Sequence, residues 1–250
     1  MLIINLGLYS DGEEIFDFLL ESLNENFFVE GNVINGYLIA YLSLSTLWVH
    51  IPILIIIVTT HIFSGEFEYG TIRILLSQPI SRLALLIAKI TSAILYILIF
   101  MLLTAIFALI PAVFLFGKSD VVIFIDGIQF IQEATFLLRY FKAILFATLS
   151  MIAFSSMAMF FAIWFKNTLT AILISLGILI LFTLLQTFVL GMFSSLQPFL
   201  FTYHIAKWQL FFVHDIPVKS ILNSVYFLGA MSLFFMGISY LKFYKMNITE

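Results

Sequence analysis

Charge is what this sequence has least of. Only 10% of its 250 residues are Asp, Glu, Lys or Arg, against roughly 25% in a soluble domain, so most of the chain cannot face water. Cysteine is absent, which excludes disulfides, thiolate metal sites and a cysteine nucleophile. Basic residues are missing from the first thirty-six positions, although seven acids stand there: Asp11, Glu13, Glu14, Asp17, Glu21, Glu25 and Glu30. With no basic n-region and an acidic run beginning at Asp11, the N-terminal stretch does not read as a signal peptide. A net charge of −3 is too small to point to nucleic acid or to an acidic substrate. What remains is apolar: 63% hydrophobic residues, 17% aromatic, thirty Phe and a mean hydropathy of +1.16. The expected fold class is an all-α, polytopic transmembrane helix bundle.

Crossing the hydrocarbon takes about 20 apolar residues. Asp, Glu, Lys and Arg are absent from positions 31–65, 90–117, 143–165, 167–206 and 220–241. Each interval holds one span, with centres near Leu54, Leu103, Phe154, Ile180 and Ser232. The fourth interval has residues to spare, and Gly191, Ser194, Ser195 and Pro198 interrupt it. Residues 191–206 are therefore expected as an interfacial or re-entrant segment. The apolar patch at 121–125 is too short to cross and ends at Asp126.

Bases in short loops set orientation. Placing the base-free first thirty-six residues outside puts Arg73, Arg82, Lys89, Lys166, Lys242 and Lys245 on the cytoplasmic side. Lys118, Arg139, Lys142, Lys207 and Lys219 then lie outside, spread over longer loops. One transmembrane domain, 1–250, follows, with an external segment at 1–36, a cytoplasmic segment at 64–82 and an external hairpin at 191–219. Residues 13–28 place Ile15, Phe18 and Leu19 on one helical face, as a short surface helix would.

The most polar inner stretch is 64–82. Gly65 to Gly70 followed by Thr71 nearly matches the phosphate-binding G-x-x-x-x-G-K-[ST] loop, but the Lys is missing and no strand precedes it. Read as a helix, Glu66, Gly70 and Arg73 share one face while Ile72, Leu75 and Leu76 gather on the other. Such a helix lies flat on a membrane and shows its polar face to a soluble partner. Pro79 ends it, and Ser81 is placed to cap the next span.

The run Gly65-Glu66-Phe67-Glu68-Tyr69-Gly70-Thr71-Ile72-Arg73-Ile74-Leu75-Leu76, with Gln78-Pro79-Ile80-Ser81-Arg82 and Lys89, resembles the coupling region of type-2 ABC exporter permeases. Pro198-Phe199-Leu200-Phe201-Thr202 with Trp208 is similar to that family's external hairpin, and Phe243-Tyr244-Lys245-Met246-Asn247-Ile248 to its basic C-terminal tail. The resemblance implies six spans, a second permease copy (identical or a paralogue), and two cassette ATPase subunits that hold ATP and magnesium. It makes Glu66, Glu68, Gly70, Thr71, Arg73, Pro79, Ser81 and Arg82 the partner-coupling residues. Five spans are present of the expected six. The first span and its basic helix are missing, so the natural reading frame is expected to start roughly 20–40 residues upstream.

Single residues keep two readings each. Glu66, Glu68 and Arg73 are either docking charges or solvated interfacial ones. Gly70 is a turn or close-approach position rather than a ligand contact. Arg82 and Lys89 either snorkel or serve a specific contact. His50 and His61 fall within or at the end of the first span, as hydrogen-bonded packing groups or a proton relay, and Pro52 is expected to kink that span. The spacing of His204, His214 and Asp215 does not suit zinc, and no grouping suits catalysis. The leading function is thus the membrane half of an ATP-driven exporter, surrounded by lipid, with ATP hydrolysed in a separate subunit. A secondary carrier, which would show interrupted spans and midplane charges, and an intramembrane enzyme are the alternatives.

Overall fold

The computed structural model describes residues 34–77, 79–125, 127–188 and 194–246. The surface helix expected at 13–28 lies outside them, as does most of the 1–36 segment. Eight α-helices are described: α1 (Gly36–Leu47), α2 (His50–Glu68), α3 (Ile72–Ser77), α4 (Arg82–Phe116), α5 (Glu133–Phe165), α6 (Thr168–Phe188), α7 (Phe201–Ile205) and α8 (Val218–Lys245). A two-stranded antiparallel hairpin, β1 (Val121–Phe124) and β2 (Ile128–Ile131), separates α4 from α5. Helices α2, α4, α5, α6 and α8 are long and apolar enough to cross a membrane. The chain is an all-α polytopic helix bundle, and each of these five long helices lies over one of the five charge-free intervals.

Two boundaries differ from expectation. The first interval contains two helices rather than one, because the chain breaks at Trp48–Val49 between α1 and α2. Pro52 consequently sits in the first turn of α2, where its missing N–H removes no intrahelical bond, and it starts that helix instead of kinking it. His50 is the first residue of α2 and is exposed, so it is no packing group within the unit. Helices α4 and α5 also overrun their charge-free intervals. At about 1.5 Å per residue they are roughly 50 Å long, well beyond a hydrocarbon core of about 30 Å. Arg82, Lys89, Arg139 and Lys142 are therefore helical residues rather than loop residues.

The residues group into two compact units. The first comprises Met1–Val49, Phe100–Ile144 and Gln209–Ile216. Asn35 caps α1, its Oδ1 accepting from the Tyr37 and Leu38 N–H groups while its Nδ2 donates to the Asp120 carbonyl. Gly36 is forced by close approach: a Cβ there would lie 2.4 Å from Val113 Cα and 2.6 Å from the Ala112 carbonyl. Tyr37 stacks on Phe136 at 4.3 Å, and Phe212 meets both Phe136 and Tyr41. Arg139 donates to the carbonyls of Phe211, Val213 and His214, tying residues 211–214 to α5.

The second unit comprises His50–Ile99, Leu145–Trp208 and Pro217–Glu250. One buried cluster in it includes Phe63 of α2, Leu86 and Ala93 of α4, Met159 and Ile163 of α5, Ala171 of α6 and Phe243 of α8. Small hydroxyls stitch its helices: Thr59 to Ser155 at 3.0 Å, and Ser64 to Thr168 at 2.9 Å. Helices α5 and α6 are joined by Lys166 and Asn167. Lys166 turns the chain at φ 55°, and the Asn167 Oδ1 caps α6 by accepting from the Thr170 N–H at 2.8 Å.

Candidate functional site

The 64–82 segment does not form one helix. Residues 64–68 complete α2, Gly70 adopts φ +71°, and α3 begins only at Ile72. Open space surrounds the position a Gly70 Cβ would take, so the glycine serves the turn and not a close approach. The break prevents Glu66, Gly70 and Arg73 from sharing a helical face. It also means that 65–70 is no phosphate loop, since Gly65 is buried within α2. Thr71 stays near the turn, its hydroxyl 3.5 Å from the Glu66 carbonyl. Pro79 follows the end of α3 at Ser77, and the Ser81 Oγ accepts from the Ala84 N–H at 3.1 Å, capping α4 as the sequence suggests.

Three of the four charges here, Glu66, Glu68 and Arg82, have a definite partner. Glu66 pairs with Lys89 at 2.8 Å, and the same ammonium donates to the Ile62 carbonyl, joining the last turns of α2 to α4. Glu68 accepts from the Thr168 N–H at 3.4 Å, placing a carboxylate at the positive end of α6. Arg82 donates to the carbonyls of Tyr244 at 2.9 Å and Met246 at 2.8 Å, fastening the start of α4 to the end of α8. Phe67 meets Phe243 edge-on at 6.4 Å. Of the eight expected coupling residues, Glu66 and Arg82 are half-buried, and Glu68, Gly70, Thr71, Arg73, Pro79 and Ser81 are exposed. Beside them stand two large apolar side chains, Tyr69 at 72% and Ile74 at 66% exposure. The arrangement is a protruding turn, rimmed by Arg73 and apolar at its centre, mounted on α2 and braced to α4, α6 and α8.

The brace was only partly visible in the sequence. Lys89 reads as a snorkelling base until the fold brings it to Glu66. Ser64 and Thr168 carry no signal that would pair them across 104 positions.

A second polar cluster lies toward the other end of α6, where the Thr202 hydroxyl donates to the Phe182 carbonyl. A 3-10 turn (Ser194–Phe199), α7 and a second 3-10 turn (Ala206–Phe212) form an irregular excursion over 194–212, as the interruptions suggest; 191–193 lie outside the described residues. The His204 Nε2–H donates to the Pro198 carbonyl at 2.7 Å, because a carbonyl can only accept. Its Nδ1 meets the Ser224 hydroxyl at 2.9 Å, and Phe227 stacks on the ring at 4.0 Å. Burial pushes this imidazole below its ordinary pKa; the Pro198 bond opposes that shift and the Lys207 charge adds to it. Lys207 donates to the Ser220 hydroxyl at 3.0 Å and lies 4.2 Å from the Tyr203 ring centroid.

Comparison with known proteins gives one result. The model of a family described as ABC-2 family transporter protein matches residues 15–248. No curated protein and no solved structure matches the chain.

Proposed function

The chain belongs to the ABC-2 family of transporter proteins, and from that premise we propose how this multi-pass membrane permease is driven. A separate cassette ATPase, carrying ATP and magnesium, docks on the turn at 69–74. Closure of the ATPase on nucleotide pushes that turn. The push passes into α2, with which Tyr69 is continuous through its N–H bond to the Gly65 carbonyl, and through Glu66–Lys89 into α4. A second permease copy, identical or paralogous, completes the translocation path, and the substrate moves outward. The single observation that carries this reading is the exposed Tyr69–Arg73–Ile74 surface on a segment fixed to three neighbouring helices. Solvent exposure of large apolar groups beside one base is the composition of a docking patch: an apolar centre with a polar rim.

Orientation follows from the bases. With the residues before α1 outside, the turn at 69–74, Lys166 and the end of α8 lie on the cytoplasmic side of the inner membrane, as the positive-inside bias requires. A tag at Ser10 should then be labelled in intact cells, and one after Glu250 only after permeabilisation. Labelling of both from one side would overturn the topology. Saturable ATP binding by the purified permease alone would overturn the division of labour, since the partner is held to carry the nucleotide.

A further inference from the structure

A cavity of about 350 Å³ opens beside the last turns of α8, outside the coupling turn. Its walls are Trp164, Ile238, Leu241, Lys242, Lys245 and Met246, all within the second unit. Two chemistries meet in it. Lys242 and Lys245 are three residues apart on one face of α8, while Ile238 and Leu241 continue the wall toward the membrane interior. Trp164, at the end of α5 and 47% exposed, stands opposite, with the Lys242 Nζ 4.4 Å from its ring centroid.

Nothing in the wall neutralises the two lysines. Among the described residues of this unit the acids are Glu66 and Glu68, and both are engaged, by Lys89 and by the Thr168 N–H. One wall is also fixed in advance. Arg82 holds the Tyr244 and Met246 carbonyls, so the end of α8 that lines the cavity is pinned. An occupant must therefore bring negative charge to the lysines and an apolar chain to Ile238 and Leu241. A soluble anion would satisfy only the first requirement. The volume lies at the lower end of the range for small-ligand pockets, about 300–1,000 Å³, enough for a headgroup whose acyl chains remain in the bilayer.

We propose that this cavity binds the headgroup of one anionic phospholipid, its phosphate between Lys242 and Lys245 and its glycerol end against Trp164. The proposal needs only that the chain spans a membrane, so it stands or falls independently of the ATPase partner. Basic clusters at a helix end attract anionic lipid in general; a built site differs by saturating and by depending on two particular lysines.

The test is a titration of the purified permease in detergent, read by thermal unfolding and by native mass spectrometry. Phosphatidylglycerol should bind saturably and raise the unfolding midpoint; phosphatidylcholine and inorganic phosphate should not. Lys242→Gln with Lys245→Gln should weaken phosphatidylglycerol binding roughly thirtyfold, about fivefold for each base removed. Lys118→Gln with Lys219→Gln, which removes equal charge outside the cavity at exposed positions, should leave it unchanged. Because Lys245 is exposed, Lys245→Gln alone keeps the fold and should already show the fivefold loss. Equal effects of the two lipids, or full binding by the cavity variants, would overturn the proposal. A shift with inorganic phosphate as large as that with lipid would make this a free-phosphate site and overturn it too.

Discussion

Two lysines of the second unit, Lys89 and Lys207, are buried to nearly the same degree, at 6% and 9% exposure, yet their charges are met in different ways. Lys89 has a carboxylate, Glu66, on a neighbouring helix. Lys207 has a hydroxyl and an aromatic face, with no acid in contact among the described residues. An ion pair between helices is strong only while both partners stay in place, and removing one leaves a buried charge uncompensated. Dipoles and a ring hold a cation less tightly, but losing one of them costs less. The difference suits the proposed division of work: the charged link lies where a push has to cross from α2 to α4, and the neutral one where the excursion over 194–212 only has to be held against α8.

The largest effect should come from breaking the charged link. Glu66→Gln is expected to destabilise the folded permease by the lower part of the about 3–5 kcal/mol typical of a broken buried pair, because Glu66 itself is 30% exposed. Denaturant unfolding in detergent would measure it. Exchanging the two charges, Glu66→Lys with Lys89→Glu, should recover part of the loss, and a double-mutant cycle without coupling would remove the pair from the account.

Lys207→Met should cost less, about 1–2 kcal/mol, since it gives up one charged hydrogen bond and a cation–π contact but also relieves a charge with no counter-ion among the described residues. A cost above that of Glu66→Gln would reverse the comparison.

A smaller, pH-dependent effect belongs to His204. Its folded pKa lies below the ordinary value of 6.5. Between the two values the unfolded chain binds more protons, so stability is complete above about pH 6.5 and is lost as pH falls through the folded pKa. The wild-type unfolding midpoint should fall on acidification from pH 7 to pH 5 more than that of His204→Gln. Equal slopes would mean that the imidazole is not held neutral.

Exposed positions of the turn at 69–74 should show the least: Arg73→Ala and Ile74→Ala are expected to change stability by no more than about 0.5 kcal/mol, because neither side chain is buried.

How far the sequence reaches depends on the kind of interaction. Placement of the five spans was legible because lipid tolerates so few charges that gaps between them mark the helices. The ends of the helices were not, since α4 and α5 continue past the hydrocarbon and carry Lys89 and Arg139 with them. A signal for the break before α2 was present in Pro52, but a long apolar interval hides it. The β-hairpin could also have been found: Asp126-Gly127 stands between the apolar run at 121–125 and Ile128-Gln129-Phe130-Ile131, and Gly127 takes φ +117°. Pairings across the fold were out of reach. Nothing local in Arg82 says that it fastens backbone carbonyls of Tyr244 and Met246, and nothing in Glu66 names Lys89 rather than a partner protein. That is why, of the eight residues expected to couple, Glu66, Glu68 and Arg82 form a bracing group, while Thr71 and Arg73 belong with Tyr69 and Ile74 to an exposed group.

The central claim is that the exposed group receives a cassette ATPase while the bracing group transmits its movement. Co-purification of the permease with its ATPase, comparing the wild type with a Tyr69→Ala, Arg73→Ala, Ile74→Ala triple variant, tests it most directly. The account predicts that the triple variant unfolds at the wild-type midpoint but no longer retains the ATPase. An intact complex at wild-type yield would contradict it, because the only large apolar groups attributed to docking would then be dispensable.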